Sequence, residues 1–305
     1  MKELKSKCRV AVCQAAPIMF DKDACIAKAI NLVEEAADNG ADIVVIPELF
    51  IPGYPLGMNF GFSVGKRTEP GREDWKKYYD NSILADGEEM ERLKECVMSE
   101  KVYLSIGYSE RDSITATLYN SNMFITPDGQ KSNHRKLKPT GAERNVWGDA
   151  YKDYFPIMET PWGPVGNMIC WESYMPLARV ALYEKGITIY ISSNTNDNDE
   201  WQNTIRHIAI EGHCYFINAD LFFTSEMYPV ANEKPEISEE TSIVCRGGSN
   251  IIDPFGHAIT ETLWDKEGII YGDLDMDKVP ASRMEHDVCG HYNRRDVFNF
   301  TFEDR

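Results

Sequence analysis

The sequence predicts an α/β fold made of two similar halves, and three observations lead to it. Short continuous apolar runs alternate with amphipathic stretches, the pattern of strands covered by helices. The order strand, helix, glycine, strand occurs twice: residues 10–15, 23–38, Gly40 and 43–46, then 165–169, 174–185, Gly186 and 187–191. A fainter echo pairs Ser121-Asn122 and Pro127-Asp128-Gly129 with Ser249-Asn250 and Pro254-Phe255-Gly256, each read as a strand closed by a Pro-x-Gly turn.

Taken in order, residues 10–15 are apolar and β-rich up to Pro17, a buried strand. Residues 23–38 set Ile26, Ala29, Ile30, Val33 and Ala37 on one helical stripe, and Asn39-Gly40 stops that helix. Ile43 to Ile46 is a strand apolar on both faces. A helix over 87–99 and strands over 102–108 and 118–126 follow. In the second half a strand over 165–169 leads through the 174–185 helix to a strand over 187–191. A helix over 200–212 then feeds a strand over 214–219. The acidic, proline-containing stretch 227–240 reads as a surface loop. With no linker rich in Gly, Ser or Pro, residues 1–305 are expected to form one domain.

Composition narrows the function. With 49 acidic residues against 32 Lys plus Arg the net charge is −17, while 43% hydrophobic and 27% charged residues are ordinary globular usage. Such a charge repels phosphate backbones and anionic lipid, so neither nucleic acid nor a membrane is an expected partner. No apolar run reaches the ~18 residues of a membrane span, and the polar start lacks the apolar region of a signal peptide. The eight cysteines include no CxxC pair and read as reduced thiols, which predicts the cytoplasm. Cys289-Gly290-His291 is too isolated for zinc, and no Gly-rich phosphate loop occurs. No metal is expected.

Chemistry collects in three places. Glu48 directly follows the strand ending at Ile46, at the sheet edge where ligand crevices form, and its apolar neighbours Pro47, Leu49 and Phe50 favour the raised pKa of a general base. Arg135, Lys136 and Lys138 form a basic cluster in an acidic chain. Glu143, on the same predicted loop, offers Lys136 a carboxylate. Cys170 falls where a strand gives way to a helix, and N–H groups at that helix start would favour thiolate. His207 and His213 fall on different faces of one predicted helix, which leaves Glu, Lys and Cys as the stronger set. The aromatic residues Phe50, Tyr54, Phe60, Trp147, Trp171 and Tyr174 either line a pocket or belong to the core.

At these residues the chain resembles the nitrilase family, within the carbon–nitrogen hydrolase superfamily. PELFIPGYP (47–55) carries the family's glutamate at Glu48, RKLKPT (135–140) its lysine at Lys136, AER (142–144) its second glutamate at Glu143, and CWESYMPL (170–177) its cysteine at Cys170. The likeness continues through RHIAIEG (206–212), GGSNIIDPFG (247–256) and GHYNRRDVF (290–298), in order over nearly the whole chain. Cys-Trp-Glu with the late Gly-His-Tyr resembles the nitrile-cleaving branch. Three positions depart from it: Gly141 stands where His or Tyr is usual, Ala150 replaces a glycine, and Arg295 replaces a proline. The chain also stops at Arg305, without the long extension many relatives carry, which would limit spiral growth.

The resemblance implies a four-layer α-β-β-α sandwich and homodimers packed sandwich to sandwich, often extended into larger spirals. It implies hydrolysis of a small-molecule organic nitrile to a carboxylic acid and ammonia without a cofactor. Cys170 would be the nucleophile, Glu48 the acid–base and Lys136 the charge stabiliser. Glu143 would orient Lys136 or water, and Tyr54, Gly141, Trp147 and Trp171 would lie at the substrate. Cyanide hydration and amide or carbamoyl hydrolysis by the same residues are the neighbouring activities. A non-catalytic binding protein on this fold is the alternative of another class.

Overall fold

The computed structural model describes residues 4–228, 232, 236 and 242–303. The first half lays down β1 (Lys7–Gln14), α1 (Lys22–Asp38), β2 (Ile43–Ile51), α2 (Glu69–Asn81), α3 (Glu88–Glu100), β3 (Tyr103–Arg111), β4 (Leu118–Ile125) and β5 (Lys131–Arg135). The second continues with β6 (Ile157–Thr160), β7 (Gly163–Ile169), α4 (Pro176–Glu184), β8 (Ile189–Asn194), α5 (Asp199–Gly212), β9 (Tyr215–Asp220), β10 (Phe222–Thr224), β11 (Ile243–Ile252), β12 (Leu263–Trp264), β13 (Gly268–Asp275) and α6 (Lys278–Arg283).

Among the described residues these strands make two sheets. One runs β13-β1-β2-β3-β4-β5 and the other β10-β11-β9-β8-β7-β6, with β12 beside β11. The halves repeat one another: β1, β2 and β3 are parallel and β4 returns antiparallel, just as β7, β8 and β9 are parallel and β11 returns antiparallel. Both Pro-x-Gly turns close the antiparallel strands, with Gly129 and Gly256 at positive φ.

Alternation along the strands decides which side chains fill which layer. Val10 and Val12 of β1 and Ile43 and Val45 of β2 face Val165, Ile189, Ile191 and Ile217 of the other sheet. The intervening Ala11, Cys13, Val44 and Ile46 pack with Cys25, Ala29 and Val33 of α1 and with Leu93 and Val97 of α3. On the far side, Met168, Tyr190 and Phe216 pack with Ala181 and Leu182 of α4 and Trp201 and Ile205 of α5. The order of layers is therefore helices, sheet, sheet, helices, a four-layer sandwich.

Helix starts follow their caps. Asp21 accepts from the Ala24 N–H at α1 and Asn198 from the Trp201 N–H at α5. The helix expected over 174–185 begins only at Pro176, because a 3₁₀ turn over Cys170–Tyr174 comes first. Of the loop expected over 227–240, most lies outside the described residues.

Candidate active site

β2 brings in the first carboxylate. Its pairing with β3 shifts register between Ile46 and Ile51, and Leu49 takes a left-handed φ of 47°. The bulge needs a partner strand without a side chain: a Cβ at Gly107 would meet the Pro47 carbonyl oxygen at 2.3 Å and the Glu48 Cα at 2.6 Å. Glu48 is thereby turned into the interior, fully buried. Its Oε1 accepts from Asn120 Nδ2 at 2.7 Å and from Lys136 Nζ at 2.9 Å, while Oε2 has no protein partner among the described residues.

Lys136 follows β5 directly, and its backbone N–H donates to the Asn120 carbonyl at 2.8 Å. Asn120 thus fixes both the lysine's backbone and the glutamate it faces. The Lys136 ammonium also reaches Glu143 Oε2 at 2.9 Å and Oε1 at 3.2 Å. Glu143 sits on the 3₁₀ turn Gly141–Asn145, where its Oε2 accepts from the Thr140 N–H at 2.7 Å. Tyr54 donates its hydroxyl to Glu143 Oε1 at 2.7 Å. The basic cluster divides three ways: Lys136 is buried, Arg135 pairs with Glu110 beneath the surface, and exposed Lys138 pairs with Asp149.

Cys170 occupies the elbow between β7 and the 3₁₀ turn with a φ of 53°, a conformation non-glycine residues adopt at a cost. The surroundings oppose the thiolate expected there. Burial pushes the Cys170 thiol well above its ordinary range, the Glu48 and Glu143 carboxylates push it further, and Lys136 and the Thr195 backbone N–H pull only partly back. The five-residue turn supplies too little helix to reverse this. Burial also raises Glu48 above the usual carboxylate range, against the pull of Lys136. The Lys136 ammonium, opposed by burial but held by Glu48, Cys170 and Glu143, stays charged far above an ordinary lysine.

The site therefore gathers a thiol, an ammonium and two carboxyl groups within one buried electrostatic cluster. The aromatic residues separate. Trp147 is buried, donating its indole N–H to Ser109 at 3.1 Å and packing 6.0 Å from Tyr54, so it backs Tyr54 from within the core. Phe50 and Phe60 are buried as well. Trp171 is 50% exposed beside Cys170, with Tyr174 edge-on to it at 5.5 Å. Gly141 is exposed at positive φ, and a Cβ there would meet open space. Asn120 and Thr195 were not singled out from the sequence, and Glu172 entered only as part of the Cys-Trp-Glu motif, with no role of its own. Polar residues inside the wholly buried β4, Leu118–Ile125, are the signal that marks Asn120. No group of three or more His, Cys, Asp or Glu placed to hold a metal occurs among the described residues.

The family model for carbon–nitrogen hydrolases matches residues 9–284. An aliphatic nitrilase of Sinorhizobium fredii is 42% identical over 299 residues, covering 98% of this chain and 96% of its own. A bifunctional nitrilase/nitrile hydratase of Lupinus angustifolius is 41% identical over 302 residues, covering 97% of this chain and 86% of its own. The solved structure of Nit3 from Saccharomyces cerevisiae, a member of the nitrilase superfamily, superposes with a TM-score of 0.75 at 21% identity over 96% of this chain and 99% of its own.

Proposed function

The chain belongs to the carbon–nitrogen hydrolase family, and from that premise we propose that it is a nitrilase, converting a small neutral organic nitrile to a carboxylic acid and ammonia. The observation that carries the chemistry is Lys136 buried between Glu48 and Glu143 and facing Cys170.

The reaction follows from the resting charges. Because the thiol starts protonated, the Cys170 proton passes to Glu48, whose Oε2 is unpartnered, as sulfur attacks the nitrile carbon. The same carboxyl returns that proton to nitrogen, giving a thioimidate. Water adds to the imidate carbon, the nitrogen is protonated and ammonia leaves, which gives a thioester. A second water, deprotonated by Glu48, attacks the thioester carbonyl. The acid departs and the thiol is restored. Lys136 is the fixed cation for charge that develops at the reacting carbon's substituents, with the Trp171 N–H as a further donor. Glu143, held by Tyr54 and Thr140, orients Lys136.

The tetrahedral intermediate has a second exit, in which sulfur leaves first and an amide is released. The likeness to a bifunctional nitrilase/nitrile hydratase favours this as a minor product here. The deciding assay measures ammonia, carboxylate and amide from a panel of nitriles, the matching amides and cyanide. Ammonia from nitriles, with no more than traces from amides, is the expected result. Ammonia from amides alone would make the protein an amidase, and silence across the panel would favour a binding role.

We further propose one domain over 1–305, since the inter-sheet core draws on both halves, and a cytoplasmic site, since all eight cysteines are free thiols. No described helix is long and apolar enough to cross a membrane. The protein is read as a homodimer or larger spiral assembly. Supporting this, Tyr174 and Met175 stand exposed just before α4 and Leu177 at its start, where Leu177 shares a groove with the tail residues Tyr292, Arg295, Val297 and Phe298. Leu177 is 68% exposed, and Leu177→Asp should lower the mass seen by light scattering. An unchanged mass would place the contact elsewhere.

A further inference from the structure

We infer that Glu172 is a positioning residue that sets the spacing between Cys170 and Lys136. The two come from different sheets, Cys170 from the end of β7 and Lys136 from the end of β5. Glu172 spans them with three hydrogen bonds. Its Oε2 accepts from the Ile169 N–H at 2.8 Å, one residue before the nucleophile. Its Oε1 accepts from the Leu137 N–H at 2.6 Å, one residue after the lysine, and Oε2 meets His134 Nε2 at 2.8 Å, two residues before it. The Glu172 and His134 side chains are 0% and 1% exposed.

The pairing also fixes a tautomer. Nδ1 of His134 is buried without a partner among the described residues, so the ring proton belongs on Nε2, where it is donated to Glu172. Burial raises the carboxyl, but the facing His134 and the two backbone donors bring it below the ordinary range, so it remains an acceptor. A glutamate suits the gap: one fewer methylene would draw the carboxylate back by about 1.5 Å, more than bonds of 2.6–2.8 Å can stretch.

The inference rests on Cys170 and Lys136 working together, and Glu172→Asp tests it with the charge conserved. The readout is alkylation of Cys170 by iodoacetamide, followed by peptide mass at a fixed pH near 8, alongside nitrile turnover. Lys136 partly offsets the rise of the Cys170 thiol, so moving it away should slow alkylation by about tenfold. The kcat should fall about a hundredfold with KM changed less than threefold. A merely structural role predicts the reverse, faster alkylation as the buried sulfur opens to solvent, and that result or an unchanged rate overturns the proposal. Should Glu172→Asp fail to fold, His134→Leu removes one of the three bonds, and a slowing of about threefold is expected; an equal or faster rate again overturns it. Because alkylation needs no substrate, a wild type that turns over no nitrile would sink the nitrilase reading without deciding this one.

Discussion

Cys170→Ala should release no measurable ammonia from any nitrile, a loss of roughly four orders of magnitude or more, while the protein stays folded. The loss is this large because no other group can take the covalent role. The other seven cysteines lie elsewhere, and burial pushes those with buried side chains, such as Cys13 and Cys214, well above the ordinary thiol range. The fold should survive because alanine keeps the Cβ at the left-handed elbow, so the backbone strain at φ 53° is unchanged. What is removed is one sulfur and an acceptor for the Thr195 N–H, a change of about 1 kcal/mol. Thermal melting checks the fold and ammonia release checks the chemistry. Activity within tenfold of wild type would remove Cys170 from the mechanism.

How much of this could be read from the chain depends on which force shaped each element. β1, α1 and β2 announce themselves because burial alone determines them: every residue of β2 is buried, and α1 turns one apolar stripe inward. α2 escapes the same reading because its sequence, EPGREDWKKYYDN, is mostly polar and only Gly71, Asp74 and Tyr78 are buried. The usable signal there was the cap: Thr68 accepts from the Gly71 N–H and proline sits in the first turn. β5 escapes because KSNHR has no apolar alternation, and its reason to be a strand is hydrogen bonding along β4.

The site divides along similar lines. Lys136 and Cys170 are legible because each sits where a strand ends, whereas Glu48 lies within β2, which runs on past the expected end at Ile46, and Glu143 lies in the middle of the 141–145 turn. Their grouping is a property of two sheets folding together, which no local pattern contains. The protonation of Cys170 depends on that grouping too. The local elbow argues for thiolate, whereas burial between the sheets, reinforced by carboxyl groups drawn from β2 and the 141–145 turn, argues for the thiol. Trp147 belongs to the same lesson, since proximity in sequence to Glu143 gave no warning that its ring lies behind Tyr54.

Lys136→Met should cost both activity and stability, and stability should depend on pH more steeply than in wild type. Among the described residues the ammonium is the one cation contacting Glu48 and Glu143, both at 2.9 Å. Its removal takes away a preorganised charge stabiliser, which typically costs 10²–10³ in kcat or more. It also leaves two buried carboxylates facing an apolar thioether, a break of the kind that costs about 3–5 kcal/mol. The protein can limit that cost by binding a proton. Burial and Glu143 already raise Glu48, and only Lys136 with Asn120 opposes them, so without the lysine its folded pKa climbs further. A carboxyl raised in the folded state holds a proton that the unfolded chain, with a pKa near ~4.3, has lost. Stability therefore falls as pH rises from about 4.3 through the folded value. The variant should melt closer to wild type at about pH 5 than at about pH 7.5, and melting curves across that range, with wild type subtracted, give the slope. A flat difference would mean that no proton is taken up and that the carboxylates have swung apart to water. A slope with the predicted sign, together with lost turnover, would tie Lys136's charge to the fold and to the reaction through the same two contacts.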